Sequence, residues 1–446
     1  MCAVPNTRAL CATWLAVLIA TSPAPALASI ESAVSWSDMS VMDLRPVFRS
    51  QYASTSNMYD PVVSDSVVEL VLRDADEKIA KEFAVTPDMR APVRFWLRVY
   101  TELTTHHVAI FDDRHPELVY EVLDFRELAH TARNRVAYEI MRQNRIRATF
   151  RAYRQAFAQL ARNPHPRKPT AVQERILATL AKATDKHSMR ERARFLRGQT
   201  GQRDNIIKGL LAAEVFFPKM ERIFTEVGVP AELTRLSLVE SSFNMSAQSR
   251  VGATGVWQFM LRSAQEYMTV DRAHDLDERL SPLKSSVAAA KLLKRNHSVL
   301  NGSWPLAITS YNHGFSGLKK IAARSERGDS KRGMFAGCGA GPKLGWAGRN
   351  YYSEFLAVLY AEQYRELFYG QVPSPVVKAI GFHRVDRAQT AVSLAKSAGI
   401  PLQEFRFLNP DIRNMKRAVP RGTWIALPGA SDDLAGLMRR TVRRRT

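Results

Sequence analysis

Apolar residues recur at helical spacing between Ser64 and Phe83, at Val67, Val68, Val71, Leu72 and Ile79, and predict a helix. The period then changes. Val93, Phe95, Leu97 and Val99 alternate, as do Val119, Glu121, Leu123 and Phe125. With His107 to Phe111 between them, these runs predict a small antiparallel sheet. Helical period returns from Arg126 to Arg162, where Val136, Ile140, Phe150, Tyr153 and Phe157 form the stripe of a long basic helix. Three prolines between Asn163 and Thr170 end it. Helices are expected to dominate from Ala171 to about Gly370. The Pro-rich stretch Val372 to Val376 marks a linker, and a compact segment follows to Pro428. Arg439 to Thr446, with five arginines, reads as a disordered basic end.

A chain of 446 residues is too long for one ordinary core, so two or three domains are expected. Its 46% apolar and 24% charged residues exclude a disordered or fibrous class. The first 28 residues stand apart. Arg8, an apolar run from Ala9 to Ala20 and the small-x-small triplet Ala26-Leu27-Ala28 have the layout of a cleaved signal peptide. An uncleaved N-terminal anchor is the alternative. Secretion places the mature chain in the periplasm or cell envelope. Cys2 and Cys11 fall inside the leader, so Cys338 has no intrachain disulfide partner. The formal net charge of +21 favours a polyanionic partner. Nucleic acid is not expected for a secreted chain without a recognition motif. Cell-wall peptides and anionic membrane surfaces both carry the required negative charge.

Pro230-Ala231-Glu232 is a helix start, and Leu233, Leu236 and Glu240 then fall on one face. The helix runs into the polar turn Ser241-Ser242-Phe243-Asn244. A carboxyl at the end of an apolar stripe is partly desolvated, which raises its pKa toward that of a general acid. The alternative is an ordinary ion pair with Arg235 or Arg250. Further on come Gly252, Gly255, the run Val256-Trp257-Gln258-Phe259-Met260, and Ser310-Tyr311-Asn312-His313-Gly314.

The order ESSFN, GATGVWQFM and SYNHG resembles lytic transglycosylases with the goose-type-lysozyme fold, in particular the membrane-bound lytic murein transglycosylase D type. The run Leu196 to Leu210 is similar to the segment that precedes the domain in such proteins. The resemblance implies that Glu240 is the catalytic acid and base. It implies that Ser241 and Gln258 orient the sugar or the Glu, and that Tyr311 and Asn312 face the scissile bond. For Trp257 and Phe259 core packing is expected. Two positions depart from the family. Ala347 stands where many relatives carry a second acid before Arg-x-Tyr, here Arg349-Asn350-Tyr351, and His313 stands where Ala or Ser is common.

The implied reaction cleaves peptidoglycan glycan strands between N-acetylmuramic acid and N-acetylglucosamine, leaving a 1,6-anhydro end. It needs one carboxyl where ordinary glycosidases need two. Asp271, Asp275, Asp277 and Glu278 read as a solvated loop and helix start, not as a second acid. No cofactor and no metal are expected: the histidines are scattered, and His106 and His107 sit on a strand pattern whose neighbours face opposite sides. A hydrolytic muramidase of the same fold and a non-catalytic wall-binding protein remain open.

Beyond the linker, a strand from His383, helices at Thr390–Ala398 and Pro401–Leu408, and a strand ending in Leu427-Pro428 give a βααβ order. With Leu408-Asn409-Pro410 this resembles a LysM peptidoglycan-binding module, although Ala388-Gln389-Thr390 replaces the usual Gly-Asp-Thr. The expected fold is therefore mainly α. Its expected units are a signal peptide (1–28), an α+β and helical N-terminal domain (29–200), a lysozyme-like catalytic domain (201–370), a linker (371–380), a LysM-like module (381–428) and a basic tail (429–446).

Overall fold

The structure, a computed structural model, describes residues 64–319, 344–370, 375, 379–429 and 432–439. The leader, Cys338, most of the linker and the arginines beyond 439 lie outside the described residues. The fold is mainly helical. None of its described helices is long and apolar enough to cross a membrane.

The first predicted helix is shorter than its pattern. It runs Asp65–Arg73, capped by the Ser64 side chain, and stops where Asp74 turns left-handed. The alternating run after it is not a strand but helix α1, Arg90–Thr101. Val93, Phe95, Leu97 and Val99 are buried, and so are Trp96 and Tyr100. A helix enclosed on most sides shows apolar residues at every spacing, so alternation misleads. The polar residues held the true period. Arg90 and Arg94 both reach Glu69, and Arg98 pairs with Glu102, all from one face.

The sheet forms with one unanticipated member. β1 (His107–Asp112) lies between β2 (Val119–Asp124) and β3 (Leu196–Thr200), all antiparallel. Helix α2, Arg135–Leu160, covers one face and buries Tyr153, Phe157 and Leu160 there. The long basic helix expected from Arg126 breaks before Asn134, which caps α2 through its side chain. Its stripe is only half used: Val136 and Ile140 are 68% and 57% exposed.

The main core surrounds α3 (Arg203–Val227), α4 (Leu236–Ser241), α5 (Pro282–Val299), α6 (Trp304–His313) and α7 (Trp346–Gln363). Helix α1 belongs to this core, and its buried Trp96 donates to Asn350 on α7 at 3.0 Å. Residues well before 201 thus share the core of the helices that follow it. Asp277 and Glu278 are a further correction. Both are buried, Asp277 against Arg279 at 2.7 Å and Glu278 against Lys284 at 3.8 Å.

The C-terminal segment has the βααβ order. β4 (Ile380–Arg384) pairs antiparallel with β5 (Trp424–Pro428), around α8 (Ala391–Ser397) and α9 (Leu402–Leu408). Asn409 latches the turn after α9 to β5: it accepts from Ala426 N–H and donates to Ala426 O. Phe382, Phe407 and Trp424 enter the main core, and Asp411 pairs with the buried Lys284. The expected tail is in part docked structure. Leu434–Arg439 is helical, buries Leu434 and Leu437, and is preceded by Asp432 bound to Lys219 and Arg222.

Candidate active site

Pro230 starts a single 3-10 turn, Ala231–Arg235, that continues into α4. Leu233, Leu236 and Leu238 are buried, which turns Glu240 toward the interior side of the helix end. Ser242 and Phe243 then take positive φ of 49° and 55°. Such backbone is unfavourable for residues with a Cβ and persists only when packing fixes it. Here Phe243 is sunk between Phe216 and Phe217 of α3. Gly209 of α3 allows the close approach, since a Cβ there would lie 2.1 Å from Ser242 O.

The second motif is a tight turn built onto the first. Gly255 has φ +77°, and a Cβ on it would lie 1.9 Å from Arg279 O. Arg279 in turn donates to Gly252 O and Phe259 O while paired with Asp277. Ser241 joins the motifs: its hydroxyl donates to Val256 O at 3.0 Å and accepts Asn244 N–H at 3.2 Å. Gln258, at φ +49°, donates from its amide to Gly255 O at 2.8 Å. Both side chains thus bind the frame around the Glu. Trp257 and Phe259 are core residues, with Trp257 Nε1 donating to Ser286 Oγ at 2.9 Å. Tyr311 on α6 donates to Trp257 O at 2.9 Å, and its ring meets Trp257 and Phe259. Asn312 follows it, half-buried.

Glu240 is partly accessible as a residue, while its carboxyl is closely enclosed. It has no cation partner among the described residues. Arg235 is committed to Glu221 and Glu362, and Arg250 is exposed, so the ion-pair alternative fails. Burial pushes the Glu240 carboxyl up to about 7, against a smaller downward pull from the Tyr351 hydroxyl, which donates to Oε1. Burial and the neighbouring Glu240 also raise the phenols of Tyr311 and Tyr351 well above their ordinary value.

Sequence reasoning missed part of this arrangement. Tyr351 was retained only as a family match, yet it is the direct partner of the Glu. Ala347 packs against the core, and a second carboxyl exists farther along α7. Glu354 is 3% exposed. Burial and the charge of Glu240 push it up to about 8, and a hydrogen bond with Tyr100 of α1 pulls the other way. Its spacing of three from Tyr351 on one helix was the available signal. Nothing local pointed to Tyr100. A cavity of about 1710 Å³ lies elsewhere, between α2 and β3, and none of the five predicted site residues lines it.

Residues 225–332 match the Transglycosylase SLT domain. The chain is 31% identical over 103 residues to "Membrane-bound lytic murein transglycosylase D" of Escherichia coli strain K12, and equally so to the protein of that name in E. coli O6:H1. Each alignment covers 23% of this chain and 23% of the relative. A protein of Alteromonas sp. strain M-1, named for tributyltin chloride resistance, is 31% identical over 121 residues, 25% of this chain and 58% of that one. The chain thus matches less than two thirds of each relative's length. The segment that carries Glu240 matches the Transglycosylase SLT domain and is similar to part of these lytic murein transglycosylases.

Proposed function

We propose that this chain is a lytic transglycosylase of the cell envelope that cleaves peptidoglycan glycan strands, with Glu240 as acid and then base. The observation that carries the reading is one carboxyl, without a cation, raised to about 7 by its enclosure. Such a group holds a proton near neutrality and releases it without a large penalty.

In the first step Glu240 gives its proton to the oxygen between N-acetylmuramic acid and N-acetylglucosamine. The C1–O bond breaks, and the substrate's own N-acetyl group stabilises the positive centre left at C1. In the second step the muramic C6 hydroxyl attacks C1 and gives its proton to Glu240, which closes the 1,6-anhydro ring and restores the acid. Internal attack has a large effective concentration advantage over water, so no water-activating base is needed. Tyr351 holds Oε1 and tempers the pKa. Ser241 and Gln258 keep the helix end and the turn in register, Tyr311 lies close enough to feel the Glu240 charge, and Asn312 beside it is assigned to the sugar. The βααβ order of residues 380–428 supports a role for that module in holding the same glycan.

A hydrolytic muramidase is the competing reading. Glu354 argues against it, because it is sealed inside and kept protonated and so is no base for a water. Mass analysis of purified sacculi digested with the full chain separates the readings. Lytic cleavage gives muropeptides one water lighter than hydrolysis, and Glu240→Gln abolishes their release. Hydrated ends, or unchanged release by Glu240→Gln, would contradict the proposal.

A further inference from the structure

Far from Glu240, three side chains converge beside the sheet. His115 lies in the β1–β2 connection and is buried. Asp185 and His187 lie in the segment before the short helix Met189–Phe195. One ligand atom from each lies within 4.8 Å of the other two. We propose that this trio binds a divalent transition metal, with Zn²⁺ as the best fit, completed by water.

The distances favour coordination over an ordinary hydrogen bond. His115 Nε2 lies 3.4 Å from Asp185 Oδ2. That exceeds the roughly 2.7–3.2 Å of a good N–H···O contact. It matches the edge of about 3.3 Å expected between two ligands of a tetrahedral zinc with bonds of about 2.0–2.1 Å. The other Asp185 oxygen is already used: Oδ1 accepts from Arg192 at 2.6 Å and from His187 N–H at 2.8 Å. Oδ2 is buried and accepts no hydrogen bond.

The surroundings are those of a metal ligand set. His115 Nδ1 has Glu117 Oε1 at 3.4 Å, longer than a good hydrogen bond, so this carboxylate lies beside the ring nitrogen opposite Nε2 and acts on it through charge. His187 Nδ1 has Glu191 Oε1 at 4.0 Å, and its ring lies 5.5 Å from that of His115. Arg192 divides its charge between Asp185 and the buried Asp112. With Glu117 and Glu191 nearby, the acids outnumber that cation, and a dication balances them. Two imidazoles and one carboxylate suit zinc over calcium or magnesium, which take mainly oxygen ligands.

His115 is about seventy residues from Asp185 and His187 in the sequence, so the trio arises only in the fold. A bound ion would staple the β1–β2 turn to the segment that leads into β3. The test uses the full chain stripped by a chelator and then titrated with Zn²⁺ against a chromophoric competitor. About one equivalent should bind, and Co²⁺ should give the visible bands of a tetrahedral site. His187→Ala, at a partly exposed position, should lower the zinc affinity about 100-fold and remove the zinc-dependent rise in Tm, while His165→Ala should change neither. Asp185→Asn should also lose the site, and His187→Ala carries the test if that variant does not fold. Absence of stoichiometric zinc, or full retention by His187→Ala, would overturn the proposal.

Discussion

Glu240 and Asp185 are both carboxyls without a free choice of charge, and their surroundings drive them in opposite directions. Around Glu240 the neighbours are phenols, apolar rings and a second acid, Glu354. Burial dominates there and pushes the group up to about 7. Around Asp185 burial also pushes upward, but the Arg192 guanidinium and the His187 backbone N–H outweigh it and bring the group to about 2. The difference is one of depth and of partner together: the Glu240 carboxyl is fully enclosed and lacks a cation, whereas Asp185 lies near the surface beside one. A carboxyl given a cation stays charged and structural, and one denied a cation stores a proton.

The comparison can be broken from the Glu240 side first. Glu240→Gln keeps the volume and the Tyr351 contact but removes the proton donor. Loss of a general acid on this scale is expected to slow muropeptide release about 10³-fold at pH 7, with circular dichroism unchanged. On the other side, Asp185→Asn strands Arg192 between two weakened partners. A cost on the order of 2 kcal/mol is expected in urea unfolding, below that of a fully buried pair because Asp185 keeps some solvent contact.

The pH dependence of stability should have opposite signs at the two places. Folded Glu240 and Glu354 hold protons that an unfolded chain releases near the ordinary value of 4.5. Their stabilisation is therefore complete below that pH and is lost as pH rises through about 7 and 8. Taken singly the loss is on the order of 3–5 kcal/mol per group, and the two titrate as a coupled pair. Asp185 contributes above the ordinary value of 3.8 and loses its contribution as pH falls toward 2. Unfolding midpoints between pH 5 and 9 should thus decline for the wild type and flatten in Glu354→Gln.

The smallest effect is expected from Tyr351→Phe. Its hydroxyl favours the charged Glu240, so its removal should raise the pKa further and move the basic limb of the rate profile upward by about one pH unit. The rate itself should fall about tenfold at the profile's maximum. An unmoved profile would mean that the Tyr351 contact does not tune the acid.

Legibility in the sequence followed the length scale of the interactions. Glu240 at the end of the Leu233 and Leu236 stripe, the Gly255 turn and the Tyr311 motif were readable because each is local. Tyr100 and Glu354 were not, because their roles arise only where α1 lies along α7. The same burial of α1 made its apolar residues look like a strand. At the C-terminus the βααβ order was visible, but the docking of Leu434 and Leu437 was hidden behind the arginines that follow. The trio of His115, Asp185 and His187 is a long-range product of the sheet and left no spacing to detect.

The central claim is that Glu240 keeps its proton near neutrality. Carboxyl titration by NMR of ¹³C-glutamate-labelled chain, wild type against Glu240→Gln, reads this directly. The account predicts that one resonance lost in the variant titrates near pH 7 in the wild type. A lost resonance that titrates near the ordinary value of 4.5 would contradict it.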